Sequence, residues 1–427
     1  MPIESRSRTL AWLLMALSMV LYMLLSAQAL LVLGIPYDAP YGPPFAKFHP
    51  ATYLLILAWM VALTSQGNPI RVLLAQFQQH RLLATFFICV VTVFAWVVFR
   101  HGTPGAAFIV EALWTPAVAA FTLYLLNARQ QRRVFKLIMG LLFINSIVAL
   151  IEALTPARLT PLHVGSTDVV EEAFFRSSAF LGHPLHNAMI TVALMSSVAL
   201  LPWPKMFRLT MAATMALSLL AFGGRASLVL SVVFYGAYGA SVILKNIVRG
   251  RYSYVQLTGG SLAGVLAATL AGGLAAATGL GARIFSNLRV DSSASVRLRV
   301  WDIFHYISNT DIWIGIPPQA IDHASLQIGL DPKYEAIENF WIYLLLQFGV
   351  IGFIPFCVGF ICLLRMLWQS ATSLQRVSLM LFLVVASTAN TLASKSISLM
   401  LLTTVIVSGA SFRNDHRLLH PSESPTP

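Results

Sequence analysis

Four arginines, Arg176, Arg225, Arg297 and Arg299, lie on the opposite side of the apolar segments from most of the chain's basic residues. A guanidinium is a planar fork of donors that grips a phosphate or carboxylate bidentately. Several of them on one face suit an anionic ligand, above all a leaving group that gains negative charge as it departs. Each sits in or beside a short stretch with further chemical character. Arg176 precedes Gly182, His183, Pro184, His186 and Asn187, where the glycine and proline predict a turn that sets Arg176 and His183 at a segment end. Two histidines this close could ligate a metal, but no carboxylate or cysteine stands at ligand spacing, so no metal is expected.

Arg225 follows Gly223 and Gly224, a break that starts a new helix and leaves free N–H groups and a positive dipole end beside the guanidinium. The plain alternative is a tight helical hairpin whose arginine snorkels. Arg297 and Arg299 lie in Ser292–His305, where the serines can cap a helix and Val296, Val300, Ile303, Phe304 and Ile307 form one apolar stripe. Such a helix would rest in a membrane interface, with Arg297 and Trp301 as neighbours at i and i+4 and a stop at Gly315 and Pro317. The last stretch is Glu338-Asn339, opening an apolar run that continues through Gly349 and Gly352. A carboxylate in a helix's first turn suits the dipole, so capping is the plain role for Glu338.

The elements that must position these residues are membrane helices. The chain has 427 residues, 57% hydrophobic and 10% charged, against about 25% charged in soluble domains. Its mean hydropathy is +0.76. Apolar segments fall near 9–34, 51–66, 82–99, 108–127, 137–154, 187–203, 208–222, 226–244, 257–279, 339–364, 377–393 and 396–412. The fold class is therefore all-α integral membrane with about 12 transmembrane helices, and the seventh segment, about 15 residues long, looks short for a crossing. The first segment continues past Ala27–Ala29, which favours an uncleaved helix over a signal peptide.

With the N-terminus in the cytoplasm, 17 of the 28 Lys and Arg fall on the cytoplasmic side. Among short connections only Lys47, Arg100, Arg225 and Lys395 oppose this bias, which fixes orientation by the positive-inside rule. Both termini are then cytoplasmic, and the long loops 155–186 and 280–338 are extracytoplasmic, the second carrying short amphipathic helices. Residues 1–412 read as a single membrane domain, and 413–427 as a disordered cytoplasmic tail. The net charge of +12 comes without basic runs interleaved with aromatics, so no nucleic-acid partner is expected. Cys89, Cys357 and Cys362 all lie in apolar segments and read as packing residues. Glu111 and Glu152 fall near outer helix ends and read as interfacial carboxylates that water can reach.

Taken in order, these stretches resemble the O-antigen ligase and Wzy-type polysaccharide polymerase superfamily. The matching residues are Arg176 with His183 and Pro184, Arg225, Arg297 with Trp301 and Gly315, and Glu338-Asn339 with Gly349 and Gly352. The resemblance implies a metal-independent, inverting membrane glycosyltransferase without cofactor, whose donor is a glycan on undecaprenyl pyrophosphate at the periplasmic face. It implies catalytic roles for Arg225, Arg297 and Glu338, and substrate binding by Arg176, His183, Arg299, Trp301 and Asn339. Glu338 is the candidate general base, with His183 and His305 behind it. Its partners would be a lipid-linked glycan donor, a glycan acceptor, the lipid bilayer of a bacterial inner membrane, a chain-length regulator and a flippase. Ligase-type members carry His where this chain has Glu338, so a polymerase of lipid-linked repeats is favoured over a ligase acting on lipid A core. A secondary transporter or flippase is the alternative from another class.

Overall fold

The computed structural model describes residues 3–39, 41–103, 105–160, 175–250, 273, 299–330 and 337–419, of which residues 3–5 and 413–419 are described by backbone alone. Among these residues the regular structure is helical, without strands. Six helices among the described residues are long and apolar enough to cross a membrane: Arg6–Leu24, Arg81–His101, Ala128–Leu154, Lys205–Phe222, Arg225–Val248 and Phe340–Ser370. Five shorter apolar helices, Pro50–Thr64, Ile109–Leu125, Pro184–Leu200, Ser373–Ser387 and Ser398–Phe412, lie at other expected segments. The expected segment 257–279, apart from Gly273, falls outside the described residues, as do residues 280–298, Arg297 among them, and the end of the tail. This is an all-α protein of membrane type.

The chain divides into two units, one formed by Met1–Leu141, Val290–Thr372 and Ala386–Pro427, the other by Leu142–Arg289 and Ser373–Val385. In the first unit, the Phe340–Ser370 helix packs along Arg81–His101, and the helix Ile3–Leu24 along Pro50–Thr64. The sequence reads 339–364 as one uninterrupted apolar segment, but Gly349 (φ 63°, ψ 172°) interrupts the helix Phe340–Ser370. The cause lies upstream: Gly315 (φ 84°) packs backbone to backbone against Gly349, where a Cβ on either residue would collide with the other segment. The carbonyls released by the break all find donors. Ile316 N–H donates to Leu346 O at 2.8 Å, His101 Nε2 to Gln347 O at 3.2 Å and Trp96 Nε1 to Phe348 O at 2.8 Å. Unsatisfied backbone groups are costly away from water, so these donors are what make the break tolerable.

Of the apolar stripe read from the sequence, Val296 lies outside the described residues, and the remainder packs on protein. Val300 and Ile303 are fully buried in a small core with Ile316, Ile321, Ala324, Leu330, Ile337, Ile342 and Leu346, and Phe304 and Ile307 pack against it. The segment Val300–Tyr306 is a 3-10 helix lying on the helix Pro318–Gln327 and the start of Phe340–Ser370. Periodicity reveals an apolar face but does not say whether protein or lipid covers it.

In the second unit, Lys205–Phe222 runs 18 residues, about 27 Å at 1.5 Å per residue. It starts three residues earlier than the sequence suggests and is long enough to cross a hydrocarbon core of about 30 Å when its ends reach the interface. The break at Gly223 and Gly224 therefore ends a full-length helix. Gly223 takes the left-handed conformation (φ 64°) that terminates helices.

Candidate functional site

The second unit holds Arg176, His183 and Arg225. Glu152, near the end of the helix Ala128–Leu154, organises the chain around them. It is only 3% exposed and accepts four hydrogen bonds: from Leu159 N–H (2.7 Å), Ser178 N–H (3.0 Å), Ala179 N–H (2.9 Å) and the Ser177 hydroxyl. Three of these donors are consecutive residues directly after Arg176. The carboxylate thus winds the chain into a tight turn in which Ala179, fully buried, adopts φ 41°. A non-glycine residue in that region costs energy and persists only where its surroundings impose it.

Two buried amides continue the knot. Asn145 accepts from Phe180 N–H (3.1 Å) and donates to Asn187 (2.8 Å), and Asn187 donates to Ser178 O (2.7 Å) and His183 O (3.1 Å). Ser177 N–H donates to Ala221 O at 3.0 Å, four residues before Arg225. Gly224 permits the approach of the next segment, because a Cβ there would lie 2.7 Å from that of Ala188. The turn that carries Arg176 and the break that carries Arg225 are therefore hydrogen-bonded to each other. Arg225 opens a 24-residue helix and is half-buried, as are Arg176 and His183. The His183 and His186 rings lie 5.0 Å apart.

Arg158 joins this cluster and was not singled out in the sequence. Its Nε donates to Arg176 O at 3.1 Å, and its guanidinium lies 4.7 Å from the Phe175 ring centroid. The only signal for it was a second arginine in the loop 155–186. Arg158 is thus bonded to the backbone of Arg176, and the Arg176 turn to the last helical turn before Gly223, so the three arginines lie on adjoining stretches of chain near the start of a long helix, whose N–H groups and dipole favour negative charge. Among the described residues, no three His, Cys, Asp or Glu side chains come together as a possible metal site.

The first unit holds Arg299, Trp301, Glu338 and Asn339, while Arg297 lies outside the described residues. Trp301 is 60% exposed, and Arg299 is exposed with Nη1 close to Gly329. Asn339 is the residue that caps the Phe340 helix: its Oδ1 accepts from Trp341 N–H (3.0 Å) and Ile342 N–H (3.3 Å). A substrate contact by Asn339 would have to come from Nδ2. Glu338 consequently sits one residue outside the helix, half-buried, and not in its first turn. The helix opening is fixed by Phe340 N–H donating to Ala389 O (3.1 Å) and Trp341 Nε1 to Ser387 Oγ (2.9 Å).

Both carboxylates read from the sequence as water-exposed are buried. Glu111 is 1% exposed and lies in a π-helical turn, Ile109–Trp114, a feature frequent at functional sites. It accepts from His49 N–H (2.7 Å), Thr52 Oγ1 (2.8 Å) and Tyr22 OH (3.4 Å), and the Tyr22 and His49 rings stack at 4.7 Å. In the same unit Lys395 pairs with Asp38 at 3.5 Å and lies 4.3 Å from the Tyr37 ring centroid. Position at a helix end suggested solvent, but the partners come from segments 59 to 89 residues away.

No protein-family model matches the chain, and no curated protein is significantly similar to it.

Proposed function

We propose that the chain is a metal-independent, inverting glycosyltransferase of a bacterial inner membrane that joins oligosaccharide repeats carried on undecaprenyl pyrophosphate at the periplasmic face. In this reading about twelve helices span the membrane, both termini are cytoplasmic, and the arginine cluster faces the periplasm. The acceptor hydroxyl attacks the donor's anomeric carbon, the bond from that carbon to the diphosphate oxygen breaks, and undecaprenyl pyrophosphate leaves with the electron pair. Glu338 takes the hydroxyl proton. Arg225, Arg176 and Arg297 stabilise the charge growing on the leaving diphosphate, the task a divalent cation performs elsewhere. His183, Arg299, Trp301 and Asn339 contribute substrate contacts.

The observation that carries this reading is the knot around Glu152, which ties the Arg176 turn to the break before Arg225. A buried carboxylate and a strained alanine spent on fixing an arginine-bearing turn fit a site that must be preorganised. In cells, Arg225→Ala and Glu338→Gln should leave single repeats on undecaprenyl pyrophosphate outside the inner membrane. Long chains still on the lipid would point to a ligase acting on lipid A core. The interrupted Phe340 helix and the buried Glu111 favour the second reading, a transporter or flippase, since such proteins use broken helices and intramembrane ionisable groups. That reading predicts repeats trapped on the cytoplasmic face.

A further inference from the structure

A cavity of about 390 Å³ opens among the short helices of the first unit, and none of the residues given a catalytic or substrate-binding role above lines it. Its polar lining is Tyr306, Asp311, His323 and Gln327, and its apolar lining includes Ile316 and Ala324. Tyr306 is 56% exposed, so its ring offers a face to a ligand. Asp311 is held in place: its carboxylate accepts from Ser308 Oγ at 2.7 Å, and Ser308 Oγ accepts from Asp311 N–H at 3.1 Å.

We propose that this cavity binds the saccharide of the acceptor. The proposal rests on reading the chain as a glycosyltransferase. A phenol, a carboxylate, an imidazole and a carboxamide supply both donors and acceptors, as a ring of hydroxyls requires. The aliphatic floor and the tyrosine ring suit the C–H face of a pyranose. The carboxylate disfavours a lipid phosphate, and four polar side chains disfavour an acyl chain. The volume falls in the range of small-ligand sites, roughly 300–1,000 Å³. Placement supports the acceptor in particular. Ile316 and Ala324 belong to the buried core that also contains Ile337, the residue before Glu338, so the cavity floor and the proposed base are held by one packed cluster.

The test uses the full chain in nanodiscs and, as probe, the oligosaccharides released by mild acid from the host's undecaprenyl-linked pool, read by saturation-transfer NMR. Wild type should transfer to sugar ring protons. Tyr306→Ala and Asp311→Asn should weaken binding at least tenfold, and Gln327→Trp, at an exposed position that tolerates a larger side chain, should block it. No transfer to wild type, or equal transfer in all variants, overturns the proposal. So does quenching of a fluorophore on Gln327→Cys by acyl-chain spin labels, which would give the cavity to the bilayer. The two readings fail separately. Normal binding by the cavity variants alongside intact polymerisation removes the cavity, whereas sugar binding with normal polymer in Arg225→Ala cells removes the transferase.

Discussion

Replacing Glu152 tests whether one carboxylate sets the shape of the Arg176–His183 turn. Glu152→Ala removes the acceptor from two buried backbone N–H groups, Ser178 and Ala179, one buried hydroxyl, Ser177, and the part-buried N–H of Leu159. A buried donor left unsatisfied costs about 1–3 kcal/mol, so the three buried donors together lose at least about 3 kcal/mol of local stability. The strain at Ala179, on the order of 1–3 kcal/mol, adds a drive for the turn to relax. Glu152→Gln should turn its remaining oxygen toward Ser177, Ser178 and Ala179 and present its amide to Leu159, losing one backbone bond at about 1–3 kcal/mol. Amide hydrogen exchange of the full chain in nanodiscs reads these values at the donors themselves. At about 1.4 kcal/mol per tenfold, exchange at Ser178 and Ala179 should quicken roughly a thousandfold in the alanine variant, up to the limit set by global opening. In the glutamine variant it should stay near wild type, with Leu159 alone faster by about ten- to a hundredfold. Unchanged protection at Ser178 and Ala179 in Glu152→Ala would refute the reasoning, because the turn would then stand without its acceptor.

Two further outcomes follow from local geometry. Gly349→Ala must place a side chain at φ 63° against the backbone of Trp313–Gly315, whereas Gly140→Ala meets nothing within 4 Å in a regular helix. Thermal unfolding in detergent should fall by the equivalent of about 2–5 kcal/mol for the first and hold or rise for the second; equal effects would remove the proposed clasp. Burial lowers the His49 imidazole from 6.5 to about 4, opposed in part by the bond from its ring to Leu25 O. The folded state thus binds a proton less readily than the unfolded chain, so this contribution to stability is whole above pH 6.5 and is lost as pH falls toward 4. The loss is on the order of 3 kcal/mol, and His49→Asn, which can still cap the Pro50 helix, should flatten that part of the pH–stability profile. Identical slopes for variant and wild type would contradict it.

Helix positions were legible because each apolar run has few polar interruptions, and the break before Arg225 was legible because two glycines in a row end helices locally. Other features depend on partners far along the chain. Glu152 sits at the end of an apolar helix, and nothing near it in sequence reveals that Ser177–Ala179 will fold onto it. Glu111 looks water-exposed in the sequence for the same reason, since its donors are Tyr22, His49 and Thr52. Gly349 reads as a helical residue until Gly315 is seen pressed against it. Asn339 and Glu338 differ by one position in their relation to a helix start, a distinction finer than sequence pattern resolves.

The central claim is that arginines on the outer face do the work of a metal in releasing a diphosphate. Purified chain in liposomes, given only the undecaprenyl-pyrophosphate-linked repeat and excess EDTA, should lengthen that glycan and release undecaprenyl pyrophosphate. Arg225→Ala should slow the reaction at least a hundredfold, and Arg225→Lys, which keeps charge but loses the bidentate fork, should fall between. Chain growth unaffected by loss of the Arg225 guanidinium, or growth that EDTA abolishes in the wild type, would contradict the account.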